Sequence, residues 1–574
     1  MSKTPNYDNK IKSILDATQP GERVCELTGQ KWMLDQRTLQ MLRDFNLPVP
    51  VFSPRTFLMR LLILLTGFSW WWNKDYRNGK PLITATHPHT KYKVMIDDDW
   101  HKEDFSSISQ EIDLSSSVLD QLVHLAFEVP LSAYRNFKQP VNSIARHSLG
   151  DENSFFVEGT ISKRCTYSAD SLNIENSSEI NWSNNVQDSY NVVAGRNINK
   201  CRVVRESRDC LNCDFIFDCR NCEYCFMSWN QRYKKFFWEN KQLSEEEWKK
   251  RRAEVNLGSF DVFDNLYHTF RKQIGNEVIW PENFNEQSEN TTGEYMQKCI
   301  DVYRGWFSEG AKNCTWTVWA NLGTENCHWG CDPGSSDCFG NLIAVNCSRC
   351  FFSWIITRCQ NCEYCIECLE CENCFGCVGL KHKKFHIFNT SYEEAAYWEK
   401  IDQIKCAMLD QNEYGRTVPS TLMQTSFEHT GGFITFNWKG EEKLIGVLCY
   451  DTALDEAYGD WSNRPIRALE DLPKHINDVG DEWLGVGFMD EKLKRPFSIH
   501  PMELELHRRL GVPIRREHFI KRIEDQWCEI NTMDILGSSC RACNKSIQIA
   551  HNNTYPDRKI YCRECYLRYL EQYG

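Results

Sequence analysis

The sequence lacks the features that most directly identify a function. Acidic residues outnumber basic ones, giving a net charge of −12 over 574 residues. A continuous nucleic-acid-binding groove along the chain is therefore not expected, although a local basic patch is compatible with this composition. The sequence has no Walker-type phosphate loop, no GxSxG or HExxH motif and no zinc-deaminase signature. These absences leave no recognisable catalytic motif.

The sequence also lacks a long apolar run. The stretch Phe57–Trp72 looks membrane-like, but it contains Arg60 and is shorter than the ~20 residues of a membrane-spanning helix. We predict a buried helix here and no membrane partner. Residues 1–24 contain no apolar core typical of a secretory signal, so a cytoplasmic location is expected.

Cysteine, in contrast, is abundant, with 29 residues. Many of them form Cys-x-x-Cys pairs, whose members are often poorly placed to bridge each other. Together with the expected reducing environment, this spacing favours free thiols or metal ligands over disulfides.

Two such pairs near the C-terminus predict a zinc site. Cys540 and Cys543 form the first pair, and Cys562 and Cys565 form the second, with eighteen residues between the pairs. Each Cys-x-x-Cys turn supplies two thiolates, and four thiolates complete the tetrahedral shell that Zn²⁺ prefers. A pair of redox dithiols is the alternative, but no βαβ pattern surrounds either pair. With all four positions filled by protein, the metal is expected to be structural, in a treble-clef-like module.

The two ends of the chain resemble each other. Residues 30–49 match residues 495–514 at a shift of 465, which places Trp32 opposite Phe497 (497 − 32 = 465). Each copy predicts an aromatic strand or turn, a short amphipathic helix and a proline stop.

The same shift places other residues opposite the four predicted zinc ligands. These residues are Asp75, Asn78, Asp97 and Trp100. The N-terminal module is therefore predicted to be a metal-free copy of the C-terminal one, held together by its own packing.

Between residues 142 and 389 the pattern changes to a short repeat. A polar residue, a cysteine and apolar residues recur, and from Cys314 to Cys374 the successive intervals are thirteen, eleven, twelve, twelve and twelve residues. This periodicity predicts a β-solenoid whose coil is about twelve residues, or half of a larger one. Asn and Asp before the strands suit its corners.

The repeats form two arrays, each followed by a helical run. A Ser-x-x-Glu capping box precedes each run, with Ser244 and Glu247 in one and Ser391 and Glu394 in the other. The middle is therefore predicted to be an internal duplication in which a helix closes each solenoid.

The cysteines of the arrays have two interpretations. They either bind additional metal ions or pack as small buried thiols, with disulfides a lesser alternative. Residues three apart in a regular strand point to opposite faces, so ligands would converge only if turns separate them. The candidates are Cys210, Cys213, Cys219, Cys222, Cys225, Cys347, Cys350, Cys359, Cys362, Cys365, Cys368, Cys371, Cys374 and Cys377.

Two other segments have interpretable local patterns. Residues 408–494 are predicted to form a β-rich connecting segment, in which residues 427–461 read as strands with turns at Gly431–Gly432 and Lys439–Gly440, followed by a polar loop. The stretch 507–522 is basic and adjoins the zinc module, so it either contacts nucleic acid or forms a solvated helical face. The possible nucleic-acid contacts are Arg508, Arg509, Arg515, Arg516, Lys521 and Arg522.

Two motifs carry a family resemblance: the stretch PMELELHRRLGVPIRR before the last two cysteine pairs, and the array ending NCFGCVGLKHKKFHIFN. The chain resembles the multi-CxxC zinc-ribbon and Cys-rich repeat proteins of candidate-phylum bacteria. This resemblance implies zinc and repeats but no established activity. The family normally has cysteines where this chain has Asp75, Asn78, Asp97 and Trp100.

The sequence therefore predicts a mainly β protein: a duplicated Cys-rich β-solenoid core with capping helices, flanked by two related α+β treble-clef or zinc-ribbon modules. The expected divisions are 1–105, 106–255, 256–407, 408–494 and 495–574. The main functional hypothesis is a non-enzymatic zinc-binding scaffold for a protein partner. The alternative is a nucleic-acid-associated regulator that uses the basic C-terminal module, and an enzyme built on a solenoid has the least support.

Overall fold

A computed structural model describes residues 2–449 and 459–574. Within these residues the fold is mixed α/β, with 32% strand and 26% helix, a 15-stranded parallel sheet and no closed barrel. The expectation of a mainly β chain is not confirmed, because both end regions and the segment after residue 393 contribute many helices.

The N-terminal region alternates short helices with two-stranded hairpins. Its elements are α1 (Pro5–Ala17), β1 (Gly21–Val24), β2 (Lys31–Leu34), α2 (Gln36–Phe45), α3 (Pro54–Leu62), β3 (Trp71–Lys74), β4 (Pro81–Thr84), β5 (Val94–Met95), α4 (Asp97–Trp100), α5 (Val118–Glu128) and β6 (Leu131–Ser132).

The membrane-like stretch contains a buried helix, as predicted. Phe57 and Leu58 of α3 are fully buried, and the Ser53 side chain caps the helix by accepting from the Thr56 N–H. The helix is shorter than expected, because it ends at Leu62 and β3 begins at Trp71. In the described part of the chain, no helix has both the length and the apolar character needed to cross a bilayer.

The largest sheet, which we call the first stack (residues 144–242), is parallel except for its last strand pair, β20–β21. Its strands are β7 (Ile144–Arg146), β8 (Phe155–Glu158), β9 (Ile161–Lys163), β10 (Thr166–Ala169), β11 (Leu172–Glu175), β12 (Ser178–Asn181), β13 (Asn184–Gln187), β14 (Tyr190–Val193), β15 (Arg196–Asn199), β16 (Arg202–Arg205), β17 (Arg208–Leu211), β18 (Asp214–Phe217), β19 (Glu223–Trp229), β20 (Lys235–Trp238) and β21 (Lys241–Gln242).

The register of the first stack advances by twelve residues from one coil to the next. Thr166 pairs with Ser178, Ser178 with Tyr190, and Tyr190 with Arg202. A second row of strands, from β9 to β17, follows nearly the same interval. Each coil therefore supplies one strand to each row.

The backbone explains why residues three apart share the interior. From Arg164 to Phe236 every third residue has a positive φ, as in Asn185 at 57° and Asn197 at 54°. This left-handed conformation turns the chain after each short side, so the following residue again points inward. Asn tolerates it better than most residues, which accounts for the recurrent Asn before inward positions.

The second stack (residues 292–391) is similar but less regular. Its register advances by eleven residues between Glu325 and Ser336 and by thirteen between Thr315 and His328. α6 (Glu245–Glu254), α7 (Phe260–Asn276) and β22 (Ile279–Pro281) precede it. Its strands are β23 (Thr292–Gln297), β24 (Tyr303–Glu309), β25 (Thr315–Val318), β26 (Glu325–Gly330), β27 (Ser336–Phe339), β28 (Leu342–Val345), β29 (Trp354–Thr357), β30 (Gln360–Glu363), β31 (Glu372–Phe375), β32 (Lys384–Ile387) and β33 (Thr390–Ser391).

A helix follows each stack. Ser244 caps α6 by accepting from the Glu247 N–H at 3.2 Å, and Trp248 of this helix donates to the Phe237 carbonyl at 3.2 Å. The prediction of a second capping box, at Ser391 and Glu394, is wrong. Ser391 belongs to β33, and α8 (Glu394–Asp410) follows with Glu393 at the N-cap position.

The prediction of strands around residues 427–446 is also wrong. The chain forms α9 (Gly431–Thr435) and α10 (Glu441–Ile445) there. Gly432 is not in a turn but at a close approach to α3, since a Cβ at this position would lie 3.0 Å from the Ile63 nitrogen. Residues 450–458, which belong to the same prediction, lie outside the described residues.

The C-terminal region repeats the N-terminal arrangement. Its elements are β34 (Gly487–Asp490), β35 (Arg495–Ser498), α11 (Pro501–Leu510), α12 (Phe519–Trp527), β36 (Asn531–Ser539), β37 (Ser546–Asn552), β38 (Lys559–Tyr561) and α13 (Arg563–Tyr573). Both ends of α11 and α12 match those of α2 and α3 at the shift found in the sequence (501 − 36 = 465 and 519 − 54 = 465). Asn46 and Gly511, both left-handed, end α2 and α11.

Candidate metal centre

The first cysteine pair lies in the turn of a hairpin. Ser539 of β36 pairs with Ser546 of β37, and the Cys540 N–H donates to the Lys545 carbonyl at 2.9 Å. Asn544 takes a left-handed conformation with φ 61° and donates its N–H to the Cys540 carbonyl at 2.9 Å. This turn presents the side chains of Cys540 and Cys543.

The second pair lies at the start of a helix. Cys562 is the N-cap residue of α13, and Cys565 is in its first turn. The Cys562 N–H donates to the Cys540 Sγ at 3.2 Å, and the Sγ atoms of Cys543 and Cys562 are 3.8 Å apart. All four Sγ atoms lie within 4.8 Å of one another. The four cysteines could therefore hold a metal ion.

The surroundings act differently on the thiols of the group. Burial raises the pKa of the Cys540 thiol, but backbone N–H donors from Cys562, Cys543 and Ala542 outweigh it and lower the pKa to about 6. Hydrogen bonds to neighbouring thiols instead raise the pKa of Cys543 and Cys562. Arg568 donates to the Cys565 Sγ at 3.1 Å. The amino-terminal end of α13 adds a partial positive charge near Cys562.

The predicted array cysteines form no comparable group. Across residues 2–449 and 459–574, the set at residues 540–565 is the one place where three or more Cys, His, Asp or Glu side chains converge closely enough for a metal. The fourteen array candidates are each at most 3% exposed and carry free thiols. Whether they bind further metal stays a prediction.

The thiols of the arrays contact the backbone across the coil. The Sγ atom of Cys362 lies 3.5 Å from the Cys371 carbonyl, and that of Cys368 lies 3.4 Å from the Cys377 carbonyl. Burial raises the pKa of the Cys365 and Cys368 thiols, whereas hydrogen bonds from neighbouring thiols lower the pKa of the Cys362 thiol. A protonated thiol is a weak donor, so the contacts with carbonyl groups suit a packed core of cysteines that donate to the backbone.

The N-terminal positions opposite the predicted zinc ligands have other partners. Asp75 accepts from the Ile96 N–H at 3.1 Å, and Asn78 accepts from the Lys80 N–H at 2.9 Å. Asp97 is buried and accepts from the Ser132 hydroxyl at 2.6 Å and the Tyr134 N–H at 2.8 Å. Trp100 Nε1 donates to the Pro130 carbonyl at 2.9 Å.

Two further hairpins of the same kind escaped the sequence comparison. Val24 pairs with Lys31, and Met489 pairs with Pro496, at the interval seen for Ser539 and Ser546. The turn of the first hairpin begins with Cys25, where the turn at the metal site begins with Cys540. Extending the 465-residue shift towards the N-terminus aligns Cys25 with Asp490 (490 − 25 = 465) and would have revealed both hairpins.

The Cys25 thiol has hydroxyl-bearing residues as its neighbours, where Cys540 has other cysteines. Burial raises the pKa of its thiol, but hydrogen bonds from the side chains of Thr28 and Thr56 and from the Ser53 backbone lower it to about 7. Thr28, Ser53 and Thr56 occupy the places in this hairpin and helix that Cys543, Cys562 and Cys565 occupy at the other end.

The basic stretch near the metal centre is largely engaged within the protein. Arg522 is buried and pairs with Glu179 at 2.8 Å and Glu503 at 2.9 Å. Arg515 is also buried, and its guanidinium lies 3.3 Å from the Glu517 carboxylate. Among the other four basic residues, Arg508 contacts Asp481 and Arg509 contacts Asp188. Arg516 contacts the Leu472 carbonyl, and Lys521 contacts Asp525.

The metal centre is attached to the rest of the molecule through β38 and α13. β38 pairs in parallel with β22, which lies between the two stacks in sequence. Tyr566, next to Cys565, contacts the buried Asp218 of the first stack and accepts from Asn230 Nδ2 at 3.1 Å. The helix α13, which begins at the second cysteine pair, is therefore in contact with the first stack.

Comparison with known proteins gives no family assignment for this fold and site. No protein-family model matches the sequence, and no curated protein is significantly similar to it.

Proposed function

We propose that the protein is a non-enzymatic scaffold made of two β-solenoids and fixed by one structural zinc ion. The observation that carries the proposal is the convergence of the Sγ atoms of Cys540, Cys543, Cys562 and Cys565 within 4.8 Å. Four thiolates suit Zn²⁺ and leave no coordination position for water or substrate. A closed site of this kind stabilises a fold and does not catalyse a reaction.

The strand register supports the solenoid. Parallel pairing at twelve-residue steps, with inward side chains at every third residue, pairs the strands of each coil with those of the coils before and after it. The long outer faces of such coils are suitable surfaces for a protein partner. A reducing cytoplasm suits a chain whose 29 cysteines are free.

The nucleic-acid alternative has less support. A phosphate-binding surface needs exposed, unpaired cations, whereas Arg515 and Arg522 are buried in ion pairs. Arg508 and Arg509 pair with acidic residues as well.

Metal analysis of the purified full-length chain tests the proposal. We expect about one zinc per chain, in agreement with a single four-cysteine site. A chain without zinc would contradict the proposal, and three or more ions would assign metal to the arrays. Binding to duplex DNA or RNA that weakens steeply with salt would favour the nucleic-acid alternative over the scaffold.

A further inference from the structure

A cleft of about 760 Å³ lies along the second stack, far in sequence from the metal centre. The stack forms its floor, α8 contributes Trp398 to one wall, and α2 contributes Phe45 to another. Floor residues Asp337, Arg349, Asn361 and Asn373 come from successive coils. Because neighbouring strands are about 4.8 Å apart, these four residues span about 14 Å along the axis.

The polar side chains of the floor form a ladder in which some hydrogen-bond donors and acceptors have no partner among the described residues. Asn361 Nδ2 donates to Asn373 Oδ1 at 3.2 Å, and Asp337 Oδ1 accepts from Asn326 Nδ2 at 2.6 Å. Within the described residues, Arg349 makes no side-chain hydrogen bond or ion pair, and the second carboxylate oxygen of Asp337 accepts none. Asn373 Nδ2 donates to Glu372 Oε1 at 3.3 Å, so among the described residues the floor groups left for a ligand are the Asp337 carboxylate, the Arg349 guanidinium and the Asn361 Oδ1, one on each of three successive coils.

Aromatic side chains accompany this ladder. Phe45, Phe351 and Trp398 are half-buried at the cleft, and the ring centroids of Phe45 and Phe351 are 5.8 Å apart. Half-buried rings offer flat apolar surfaces that a ligand can cover. Polar groups at fixed intervals beside such surfaces match a ligand with hydroxyl edges and apolar C–H faces.

The charges of the cleft are nearly balanced. Lys405 pairs with Glu363 at 2.9 Å, and Lys3 pairs with Glu394 at 2.9 Å while its ammonium lies 4.6 Å from the Trp398 ring centroid. The remaining Arg349 shares the lining with the carboxylates of Asp337, Asp44 and Glu372, of which Glu372 pairs with Lys384 outside the cleft. Such a balance gives no electrostatic preference for a strongly anionic or cationic ligand.

We propose that this cleft binds an unbranched, neutral oligosaccharide a few sugar rings long. The Asp337–Arg349–Asn361 ladder would hydrogen-bond successive hydroxyl groups, and Phe351 and Trp398 would cover the C–H faces of the rings. A peptide is disfavoured, because the floor is the face of the stack, whose backbone groups pair between coils. An extended peptide usually binds to a free strand edge.

Calorimetric titration of the full-length zinc-loaded protein with neutral tetrasaccharides tests the inference, using cellotetraose, chitotetraose, maltotetraose and laminaritetraose as probes. We expect at least one linkage type to bind. Trp398→Ala should weaken that binding about tenfold, the loss of one aromatic contact. Asn361→Ala should weaken it several-fold, since one uncharged hydrogen bond is removed.

Asn185→Ala is the matched control. Asn185 belongs to an exposed ladder on the first stack, with Asn173 and Asn197 at 3.1 and 2.9 Å, and it does not line the cleft. The Asn185→Ala variant should bind the sugar with the same affinity as the unmodified protein.

Absence of binding to all four sugars, or an affinity unchanged by Trp398→Ala and Asn361→Ala, would overturn the inference. Displacement of the sugar by an uncharged peptide of similar length would assign the cleft to peptides instead. Zinc content is measured separately, so failure here leaves the scaffold proposal intact.

Discussion

At the residue scale, a left-handed conformation recurs at every third position through the first stack and, with interruptions, through the second. It occurs at Asn and Asp residues, which adopt it at low cost, but also at Val203 and Ile355, both with positive φ. A β-branched residue in this region is strained by about 1–2 kcal/mol. The stacks therefore impose the conformation through their cooperative pairing.

A pair of substitutions at Asn221 tests this view. Asn221 has φ 53° and an exposed side chain. Asn221→Val should lower the free energy of unfolding by about 1–2 kcal/mol through backbone strain, whereas Asn221→Gly should be close to neutral. Urea unfolding followed by circular dichroism measures both, and equal stabilities of the two variants would contradict the explanation.

A second prediction concerns the four cysteines that we propose bind zinc. Cys562→Ser removes one thiolate, so the zinc content should fall well below one ion per chain and the thermal midpoint should decrease, because metal binding contributes several kcal/mol to such modules. Cys528→Ser is the control, since Cys528 lies outside the four-cysteine group. A Cys562→Ser protein that retains full zinc would show that the metal is bound elsewhere.

A third prediction concerns Glu206, which lies between the stacks and accepts from the Tyr295 hydroxyl at 2.8 Å. Burial raises its pKa from 4.5 to about 8. At neutral pH the folded state therefore binds a proton that the unfolded state releases. The stability associated with this carboxyl is complete below pH 4.5 and is lost as the pH rises through 8.

Glu206→Gln should remove this dependence. Its free energy of unfolding should equal that of the unmodified protein at about pH 4.5 and exceed it by about 2–4 kcal/mol at about pH 8. Urea unfolding at the two pH values measures the difference. Glu254→Gln, at an exposed position of α6, should show no such effect, and an equal effect in both variants would reject the assignment to Glu206.

At the scale of elements, the sequence predicted what local spacing determines. The four cysteines of the candidate metal centre lie in two Cys-x-x-Cys turns, and the recurrence of Asn-Cys pairs indicated a repeat of about twelve residues, although it left open whether this repeat is a whole coil or half of one. The mutual orientation of inward cysteines was not predictable, because alternation in a regular strand suggests opposite faces. Only the backbone shows that a left-handed residue precedes each of them.

The segment around α9 shows a different limit. Its glycines suggested a turn between strands, but Gly432 is a helical residue placed against the backbone of Leu62 and Ile63. Contacts between residues some 370 positions apart (432 − 62 = 370) leave no local signal in the sequence. Tertiary packing here overrides the strand propensity of residues such as Phe433 and Ile434.

This close approach gives a fourth prediction. In Gly432→Ala the added methyl group meets backbone atoms at 3.0 Å, so the protein should lose about 1–3 kcal/mol of stability through overpacking. Gly537→Ala is the control, because no atom lies within 4 Å of its added Cβ. Thermal unfolding compares the variants, and a Gly432→Ala protein as stable as Gly537→Ala would show that α3 and α9 separate easily.

At the scale of the whole molecule, the two stacks contact each other as well as the metal module. Trp182 of the first stack lies against Phe307 of the second, with ring centroids 5.5 Å apart. The metal module contacts the first stack through Tyr566 and pairs with β22 through β38. Removal of the metal should therefore loosen specific contacts and leave most coils folded.

Hydrogen exchange of the chelated protein checks this expectation. After zinc removal, amides of β38, β22 and α13 should exchange faster, because their order depends on the cysteine turns. Strands β12–β16 should keep their protection, since each coil is stabilised by its neighbours. A uniform loss of protection would mean that the metal supports the entire fold, and no change would mean that it supports none of it.

The pairing of β22 with β38 also has a consequence for biosynthesis. The two strands are 280 residues apart (559 − 279 = 280), so a ribosome needs roughly 15 s to a minute to produce the second after the first. During this interval β22 and the partners of Tyr566 on the first stack are without their final neighbours. The growing chain therefore exposes a strand edge at β22 for longer than it exposes the edges of most of its coils.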